Sequence, residues 1–381
     1  MRFRLYDHIK TYRLCTVCGF LFVFMFLGYL VKPDTAFSEF ENRYLAGRPA
    51  FRLTDALDGS FEEKFETYTE EQVPLREQLI RLKALVERAE LKRENNGIIL
   101  ADNGQLFEKM LSYPKNLARN EDIIVSFLEK AGRDITVGII PNSFELQSGR
   151  LPKGVPNVSE KTAIDSFYEA LSGLPNCQTI DLYGALNEHA GEEIYYHTDH
   201  HWTTAGAYYG YAEICRALGL DAIERETLPV NKRDGFYGTY YAKYKGIGVK
   251  PDTIEYYGTP KLSYVNQNDE TTVNGLYDLE KLDTYDKYAM FMYGNPGQAE
   301  VIVDAGETAG GGKSLILLKD SYSNCLIPFL TYNYDRITVI DLRYFGGQLS
   351  QVLAEQTDAD IVLLYNFSHL GEDSNYYKLL R

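Results

Sequence analysis

Apolar and polar positions recur along the chain with two different periods, and these periods predict the order of its helices and strands. Between residues 60 and 94, apolar residues return at helical spacing, while Pro74 interrupts the pattern and predicts two helices instead of one. Short apolar runs at 98–100 and 106–107 flank an Asp-Asn-Gly turn sequence. They predict a small hairpin ahead of the main part of the chain.

From residue 116 onward, helical and strand patterns alternate, which is typical of an α/β fold. The predicted order is helix 116–131, strand 135–140, helix 159–171, strand 179–182, helix 203–218, strand 314–318, helix 324–330, strand 337–340, helix 347–355 and strand 361–365. Strands that are separated by helices usually pair in parallel, so the pattern predicts a mostly parallel, doubly wound sheet. Residues 225–285 are rich in Tyr, Gly and Lys and lack a helical period. They are predicted to form hairpins or an inserted lobe.

An uncharged apolar run at residues 14–31 predicts a membrane anchor, because a helix of that length is about 27 Å long, close to the hydrocarbon thickness of a bilayer. The preceding segment is rich in Lys and Arg, which places the N-terminus in the cytoplasm and the rest of the chain outside. A cleaved signal peptide is the rival interpretation, but no small-residue cleavage pattern follows the run. The predicted organisation is a cytoplasmic tip at 1–13, a transmembrane anchor at 14–32, a membrane-proximal helical stalk at 33–97, an α/β domain at 98–224 and 286–381, and the inserted lobe at 225–285.

Composition narrows the possible partners. The net charge of -15 argues against binding to nucleic acid, whose phosphates require clustered Lys and Arg. Five Cys are too few for a disulfide-stapled scaffold, and Cys177, Cys215 and Cys325 are interpreted as buried thiols with at most one bridged pair. The 31 Tyr, many of them between residues 208 and 293, suit either the margin of a β-rich core or a surface that binds sugars.

The candidate chemistry lies in two short segments. Ser321 follows the apolar strand 314–318, and the carboxyl ends of such strands are where open α/β sheets place their sites. Backbone N–H groups at this turn, with the positive end of the helix that follows, could hold a developing oxyanion. A serine needs a base to become nucleophilic, and a histidine base needs a carboxylate to orient it. Asp199 and His201 supply both groups from one loop, because residues two apart in an extended chain point the same way.

Two other interpretations of these segments stay open. Ser and Asp after a strand are common helix N-caps, so that pattern alone is weak evidence for a nucleophile. The alternative for the histidine loop is a metal site, with His197, Asp199, His200 and His201 as ligands. Adjacent histidines on one extended strand do not easily bind one ion, so we expect neither a metal nor another cofactor.

Four ordered motifs carry a resemblance to a known family. They are FSEFENRYLAGRP at 37–49, TDHHWTTAGAYYGY at 198–211, LLKDSYSNCLIPFL at 317–330 and VIDLRYF at 339–345. Together they resemble the DHHW family of bacterial surface proteins, which is related to the alginate O-acetyltransferases of the SGNH-hydrolase-like superfamily. The resemblance covers most of the chain after Pro33 and is weakest in residues 225–285. It implies a flavodoxin-like three-layer α/β/α fold.

The same resemblance assigns roles to individual residues. Ser321 matches the nucleophile, His201 the base and Asp199 the acid of a catalytic triad, whereas His200 is not expected to be catalytic. Gly294 and Asn295 resemble part of a Gly-Gly-Asn stretch that completes the oxyanion hole, although Tyr293 stands where the first Gly is expected. The segment 141–143 is a competing source of oxyanion donors. The candidate substrate contacts are Trp202, Tyr322 and Arg343.

The function implied by the resemblance is that of a membrane-anchored extracellular O-acetyltransferase or acetylesterase. It would act on a cell-surface polysaccharide through an acyl-serine intermediate. A membrane-bound O-acyltransferase is the expected partner that supplies acetyl groups, which would explain an anchor. The alternative is a non-catalytic polysaccharide-binding or scaffolding subunit of a cell-envelope acetylation system. A large distance between Ser321 and His201 would favour that alternative.

Overall fold

A computed structural model describes residues 2–38, 43–307 and 311–381, so residues 39–42 of the first motif lie outside the described residues. The chain divides into two compact units. One consists of Met1–Lys92 with Lys245–Ile247, and the other of Arg93–Tyr244 with Gly248–Arg381.

The first unit is mainly helical. Its elements are α1 (Arg2–Val31), β1 (Phe37–Ser38), β2 (Arg43–Tyr44), α2 (Leu53–Leu57), α3 (Ser60–Glu71) and α4 (Arg76–Ala89). Pro74 lies between α3 and α4, which confirms the predicted division into two helices. Within the described residues, no helix combines the length and the apolar character that crossing a membrane requires. The anchor at residues 14–32 stays a prediction.

The second unit contains the other helices and strands of the described residues. Its strands are β3 (Glu94–Asn95), β4 (Ile98–Leu100), β5 (Leu106–Glu108), β6 (Ile135–Ile140), β7 (Cys177–Ile180), β8 (Val230–Phe236), β9 (Asp252–Tyr257), β10 (Leu262–Asn266), β11 (Thr271–Asn274), β12 (Gln298–Val303), β13 (Ser314–Lys319), β14 (Arg336–Ile340) and β15 (Asp360–Asn366). Its α-helices are α5 (Leu117–Ala131), α6 (Ser143–Leu146), α7 (Glu160–Leu171), α8 (Leu182–Glu188), α9 (Thr204–Leu218), α10 (Thr239–Tyr244), α11 (Ile327–Leu330), α12 (Leu349–Glu355) and α13 (Phe367–Glu372).

Eight strands form one large sheet in the order β11-β10-β12-β14-β13-β15-β6-β7. The strands from β14 to β7 in this order are parallel, whereas β12, β10 and β11 pair antiparallel along one edge. The predicted mostly parallel sheet is therefore confirmed. The antiparallel edge adds to it, and two of its strands, β10 and β11, come from the Tyr-rich segment 225–285.

Strand β13 lies in the interior of this sheet, and its side chains contribute to an apolar core on each face. Leu315 and Leu317 join the apolar core on one face, and Ile316 and Leu318 join the core on the other. Helices α8 and α9 contribute to the first core, and α5 and α7 to the second. A parallel strand that is buried on both faces reads as a continuous apolar run, which is why this strand could be predicted.

The chain after β13 differs from the prediction. The expected helix 324–330 is instead a 3₁₀ turn at Ser321–Cys325 followed by the four-residue α11. Pro328 lies in the first turn of α11, where proline is tolerated, whereas a helix that began at residue 324 would place it in the interior. The helix dipole at this point is correspondingly small, so it contributes little to any charge at Ser321.

Candidate active site

Three side chains from two separate segments meet at the carboxyl end of β13. Ser321 begins the turn after this strand, while Asp199 and His201 lie in the loop before α9. The His201 Nε2 atom is 2.9 Å from the Ser321 Oγ atom, and His201 Nδ1 is 2.5 Å from Asp199 Oδ1. All three residues are buried, with relative exposures of 6% or less. The structure thus brings the predicted triad residues together.

Further contacts fasten the histidine loop to the serine turn. The indole N–H of Trp202 donates to the Tyr322 carbonyl at 2.8 Å, and the Tyr322 hydroxyl donates to the carbonyl of His200. Helix α9 gives Trp202 room through Gly210, where an added Cβ would lie 2.8 Å from the indole ring. The position of His201 relative to Ser321 is therefore fixed by packing and by hydrogen bonds to backbone carbonyls, as well as by the contact between the two residues.

The turn that carries Ser321 is organised by Asp320. Its Oδ1 atom accepts from Tyr322 N at 2.9 Å, and its Oδ2 atom accepts from Asn366 N at 2.7 Å and lies 2.9 Å from His369 Nδ1. Burial would raise the pKa of Asp320, but His369, Arg343 and these hydrogen bonds lower it to about 2. The carboxylate therefore stays ionised and holds the turn over the pH range in which proteins usually function.

Asp199 is held as an ionised carboxylate by its surroundings. Besides His201, its Oδ2 atom accepts from the backbone N–H of Thr239 at 2.7 Å and from the Thr239 hydroxyl at 3.1 Å. Burial opposes ionisation, but the adjacent His200 and His201 and the hydrogen bonds hold the pKa of Asp199 below its usual range. Gly238 leaves the space that this carboxylate occupies, since an added Cβ would lie 2.2 Å from Asp199 Oδ2.

The structure does not place two of the candidate substrate contacts on a surface. Trp202 and Tyr322 are both 0% exposed, and their polar atoms bond within the protein. Their position shows a packing role, which corrects the prediction that they contact the substrate. Arg343 is partly exposed, and its guanidinium binds both oxygens of Asp341, with distances of 2.9 and 2.6 Å. Arg343 therefore forms an ion pair just after the end of β14.

Of the two predicted oxyanion residues, Gly294 has its N–H engaged elsewhere, whereas the contacts of Asn295 use its side-chain oxygen and not the amide N–H groups that an oxyanion would need. The Gly294 N–H donates to the carbonyl of Phe291 at 3.1 Å, so it is not free to hold an oxyanion. The Asn295 Oδ1 atom accepts from Asn324 at 2.9 Å and lies 3.5 Å from Lys319 Nζ. Among the described residues, nothing accepts a hydrogen bond from the Ser321 backbone N–H.

The competing segment at 141–143 is part of a buried polar network beside the turn. Asn142 Oδ1 accepts from the Tyr322 hydroxyl at 3.1 Å and from Asn366 at 3.0 Å. Its backbone N–H donates to Glu160 at 2.7 Å. Burial outweighs these bonds and raises the pKa of Glu160 to about 8, so this side chain is protonated at neutral pH.

The clustered tyrosines belong mostly to the core. Of the nine from Tyr208 to Tyr257 that could have formed a sugar-binding surface, none is exposed, and four are buried: Tyr211, Tyr240, Tyr244 and Tyr257. Sequence reasoning missed Tyr288, whose ring stacks on the His201 imidazole, and Thr239, which binds Asp199. The density of Tyr in this region was the only signal for Tyr288, because no sequence spacing links it to His201.

The histidine loop also contains the donor atoms of a metal site. Asp199, His200 and His201 each offer a ligand atom, and these atoms lie within 4.8 Å of one another. The His201 Nδ1 atom already contacts Asp199, and His200 Nδ1 is 2.6 Å from the Thr239 hydroxyl. An ion that took these atoms would therefore break the contact that orients His201 toward Ser321.

Fold and site together define an α/β protein with a Ser-His-Asp constellation at the carboxyl end of a central parallel strand. A sequence profile of the family described as DHHW protein matches residues 134–340, which is more than half of the chain. The chain belongs to the DHHW family. A search of curated proteins found no match.

Solved structures show the same fold at low sequence identity. A DHHW family protein from Eubacterium siraeum DSM 15702 has a TM-score of 0.64 and 24% identity, over 75% of this chain and 96% of that chain. Bacillus cereus PatB1 with a sulfonyl adduct has a TM-score of 0.58 and 19% identity, over 74% of this chain and 98% of that chain. PatB1 without the adduct gives a TM-score of 0.57.

Proposed function

We propose that the protein is a serine-dependent O-acetyltransferase or acetylesterase that acts on a cell-surface polysaccharide. The observation that carries this proposal is the continuous chain of contacts from Ser321 Oγ to His201 Nε2, at 2.9 Å, and from His201 Nδ1 to Asp199, at 2.5 Å. The alternative, a non-catalytic binding subunit, gives no reason for a buried serine to lie within hydrogen-bond distance of an oriented imidazole.

The geometry suits a two-step acyl transfer. Ser321 Oγ attacks the acetyl carbonyl of a donor ester while His201 Nε2 accepts its proton, and the same nitrogen returns that proton to the leaving oxygen. The acetyl group is then bound to Ser321. In the second step a sugar hydroxyl, or water, attacks this ester and loses its proton to His201, which passes it to Ser321 Oγ. The unpaired Ser321 N–H is a donor for the oxyanion of both steps.

Placement at the cell surface belongs to the same proposal. An N-terminal anchor would hold the enzyme beside a membrane-bound O-acyltransferase that delivers acetyl groups. The predicted run at residues 14–31 and the basic residues before it support this placement. We propose no nucleic-acid partner and no cofactor.

Covalent labelling of the full chain tests the nucleophile. Sulfonyl fluorides react with activated serines and lose fluoride, and one of the similar structures, PatB1, carries a sulfonyl adduct. We expect phenylmethanesulfonyl fluoride to label Ser321 in peptide mass spectra, and Ser321→Ala to abolish the label. Ser323→Ala is the matched control, since Ser323 lies in the same turn, is 0% exposed and has an Oγ atom without a partner among the described residues. Equal labelling of the Ser321→Ala protein would contradict the proposal.

A further inference from the structure

The aromatic ring of Tyr288 lies flat against the imidazole of His201. The two ring centroids are 3.7 Å apart, and the planes differ by 10°. The Tyr288 hydroxyl donates to the backbone carbonyl of Ser321 at 3.0 Å. One side chain therefore contacts the base through its face and the nucleophile's backbone through its tip.

Packing, and not His201 alone, fixes the position of the Tyr288 ring. Tyr288 is 4% exposed and lies in the 3₁₀ turn Lys287–Met290. Tyr196 meets it edge-on with centroids 6.4 Å apart, and the ring of Phe291 is 5.2 Å away. A ring held in this way is in place before the reaction begins.

The ring of His200 also packs against His201. The two ring centroids are 3.8 Å apart, and the planes are tilted by 37°. Rotation of the imidazole would require both neighbours to move and would break the bond from Nδ1 to Asp199. Burial and the proximity of His201 lower the pKa of His200, so His200 is neutral and adds no second positive charge.

The electronic character of the two rings matters once His201 accepts a proton. The face of a tyrosine ring carries negative electrostatic potential and attracts a cation, most strongly where water is excluded. In the acyl-transfer reaction His201 becomes an imidazolium while an oxyanion forms on the substrate. A stacked Tyr288 stabilises that imidazolium more than the neutral ring, so its effect is larger in the transition state than in the ground state.

We propose that Tyr288 is a positioning residue of the reaction. Its ring keeps His201 Nε2 directed at Ser321 and stabilises the protonated imidazole, and its hydroxyl fixes the carbonyl of Ser321. This inference rests on the proposed function.

Two substitutions separate the two contacts of Tyr288. Tyr288→Phe keeps the stacked ring and removes the hydroxyl, whereas Tyr288→Leu removes both. The control is Tyr376→Leu, which truncates an equally buried tyrosine in the core on the other face of the sheet. Loss of buried ring volume alone should affect the control and Tyr288→Leu in the same way.

The first measurement compares the His201 ring signals of the full chain by NMR at one fixed pH. The Nδ1–H proton that bonds to Asp199 gives a sharp downfield signal only while the ring keeps its orientation. We expect this signal in the wild-type protein, in Tyr288→Phe and in Tyr376→Leu, and we expect it to broaden or disappear in Tyr288→Leu.

The second measurement is the rate at which phenylmethanesulfonyl fluoride labels Ser321 at the same pH. We expect Tyr288→Leu to label at least about tenfold more slowly than Tyr376→Leu. Fluorinated phenylalanines at position 288 keep the shape of the ring and weaken its negative face, so labelling should slow with each added fluorine. A wild-type Nδ1–H signal in Tyr288→Leu, or equal labelling rates in Tyr288→Leu and Tyr376→Leu, would overturn the inference. The NMR result does not depend on catalysis, so the proposed function can fail, with Ser321 unlabelled in the wild-type protein, while the role of Tyr288 is still tested.

Discussion

The substitution Asp199→Asn probes the orientation of His201 directly. The carboxylate accepts four hydrogen bonds, from His201 N at 3.0 Å, from His201 Nδ1 at 2.5 Å, and from the backbone and hydroxyl of Thr239 at 2.7 and 3.1 Å. An amide has only one accepting oxygen. Its NH2 group must face either the donors of His201 or those of Thr239.

Each orientation of the amide has a definite consequence. An NH2 group toward His201 makes Nδ1 the acceptor, which places the ring proton on Nε2 and prevents it from deprotonating Ser321. An NH2 group toward Thr239 sets two donors against each other in a buried site, which costs roughly 1–3 kcal/mol. We expect Ser321 labelling to slow by about 10⁴-fold, the size of effect known for this change in serine-protease triads, or about 5.4 kcal/mol at 1.36 kcal/mol per tenfold.

The matched control for this prediction is Asp252→Asn. Asp252 also accepts three hydrogen bonds near the same loop, from His197 N at 2.9 Å, Thr198 N at 2.8 Å and the Thr198 hydroxyl at 2.6 Å, but it does not contact His201. We expect a comparable loss of unfolding free energy in urea and a labelling rate within about threefold of wild type. A wild-type labelling rate in Asp199→Asn, or equal slowing in the two variants, would refute the reasoning.

Three further predictions concern the surroundings of the triad. Gly238→Ala should displace Asp199 and slow the labelling of Ser321 by about 10²-fold, an effect that a displacement of about 1 Å can have. Gly173→Ala, where an added Cβ meets open space, should not change the labelling rate, and equal rates in the two variants would exclude the steric argument. Because the folded-state pKa of Glu160 is raised to about 8, the free energy of unfolding of the wild type should fall as pH rises from about 4.5 to 8, by at most about 1.4 kcal/mol per pH unit. Urea unfolding should show Glu160→Gln becoming more stable relative to the wild type over that range, and a stability difference that does not change with pH would contradict this. EDTA should leave the labelling rate unchanged and added Zn²⁺ should lower it, whereas loss on chelation and recovery with Zn²⁺ would favour a metal at Asp199, His200 and His201.

Local sequence was sufficient to predict elements whose side chains are buried in the same way along their whole length. Strand β13 is buried on both faces, so its apolar run indicated a central strand and placed Ser321 at its end. Asp199 and His201 could be paired because they lie two positions apart, and side chains two apart in an extended chain point the same way. The antiparallel strand β12 was not predicted, although its sequence alternates between residues that are buried and residues that are half-buried.

The contacts that the sequence did not predict join residues far apart in the chain. Tyr288 meets His201 across 87 positions of sequence, so no spacing rule identifies it. Trp202 was a candidate substrate contact, but Gly210 leaves a buried space that the indole fills. Gly294 was expected to donate to an oxyanion, but its own turn uses that N–H. These outcomes depend on tertiary packing, which a local pattern does not encode.

The most direct test of the proposed function is to trap the acyl-enzyme. The full chain is mixed with 4-nitrophenyl acetate, quenched in acid after short intervals, digested and analysed by mass spectrometry. We predict one acetyl group on the peptide that contains Ser321, lost when an acceptor sugar is added, and absent in Ser321→Ala. Acetylation confined to other residues, or equal acetylation of the Ser321→Ala protein, would contradict a serine-dependent acyl transfer.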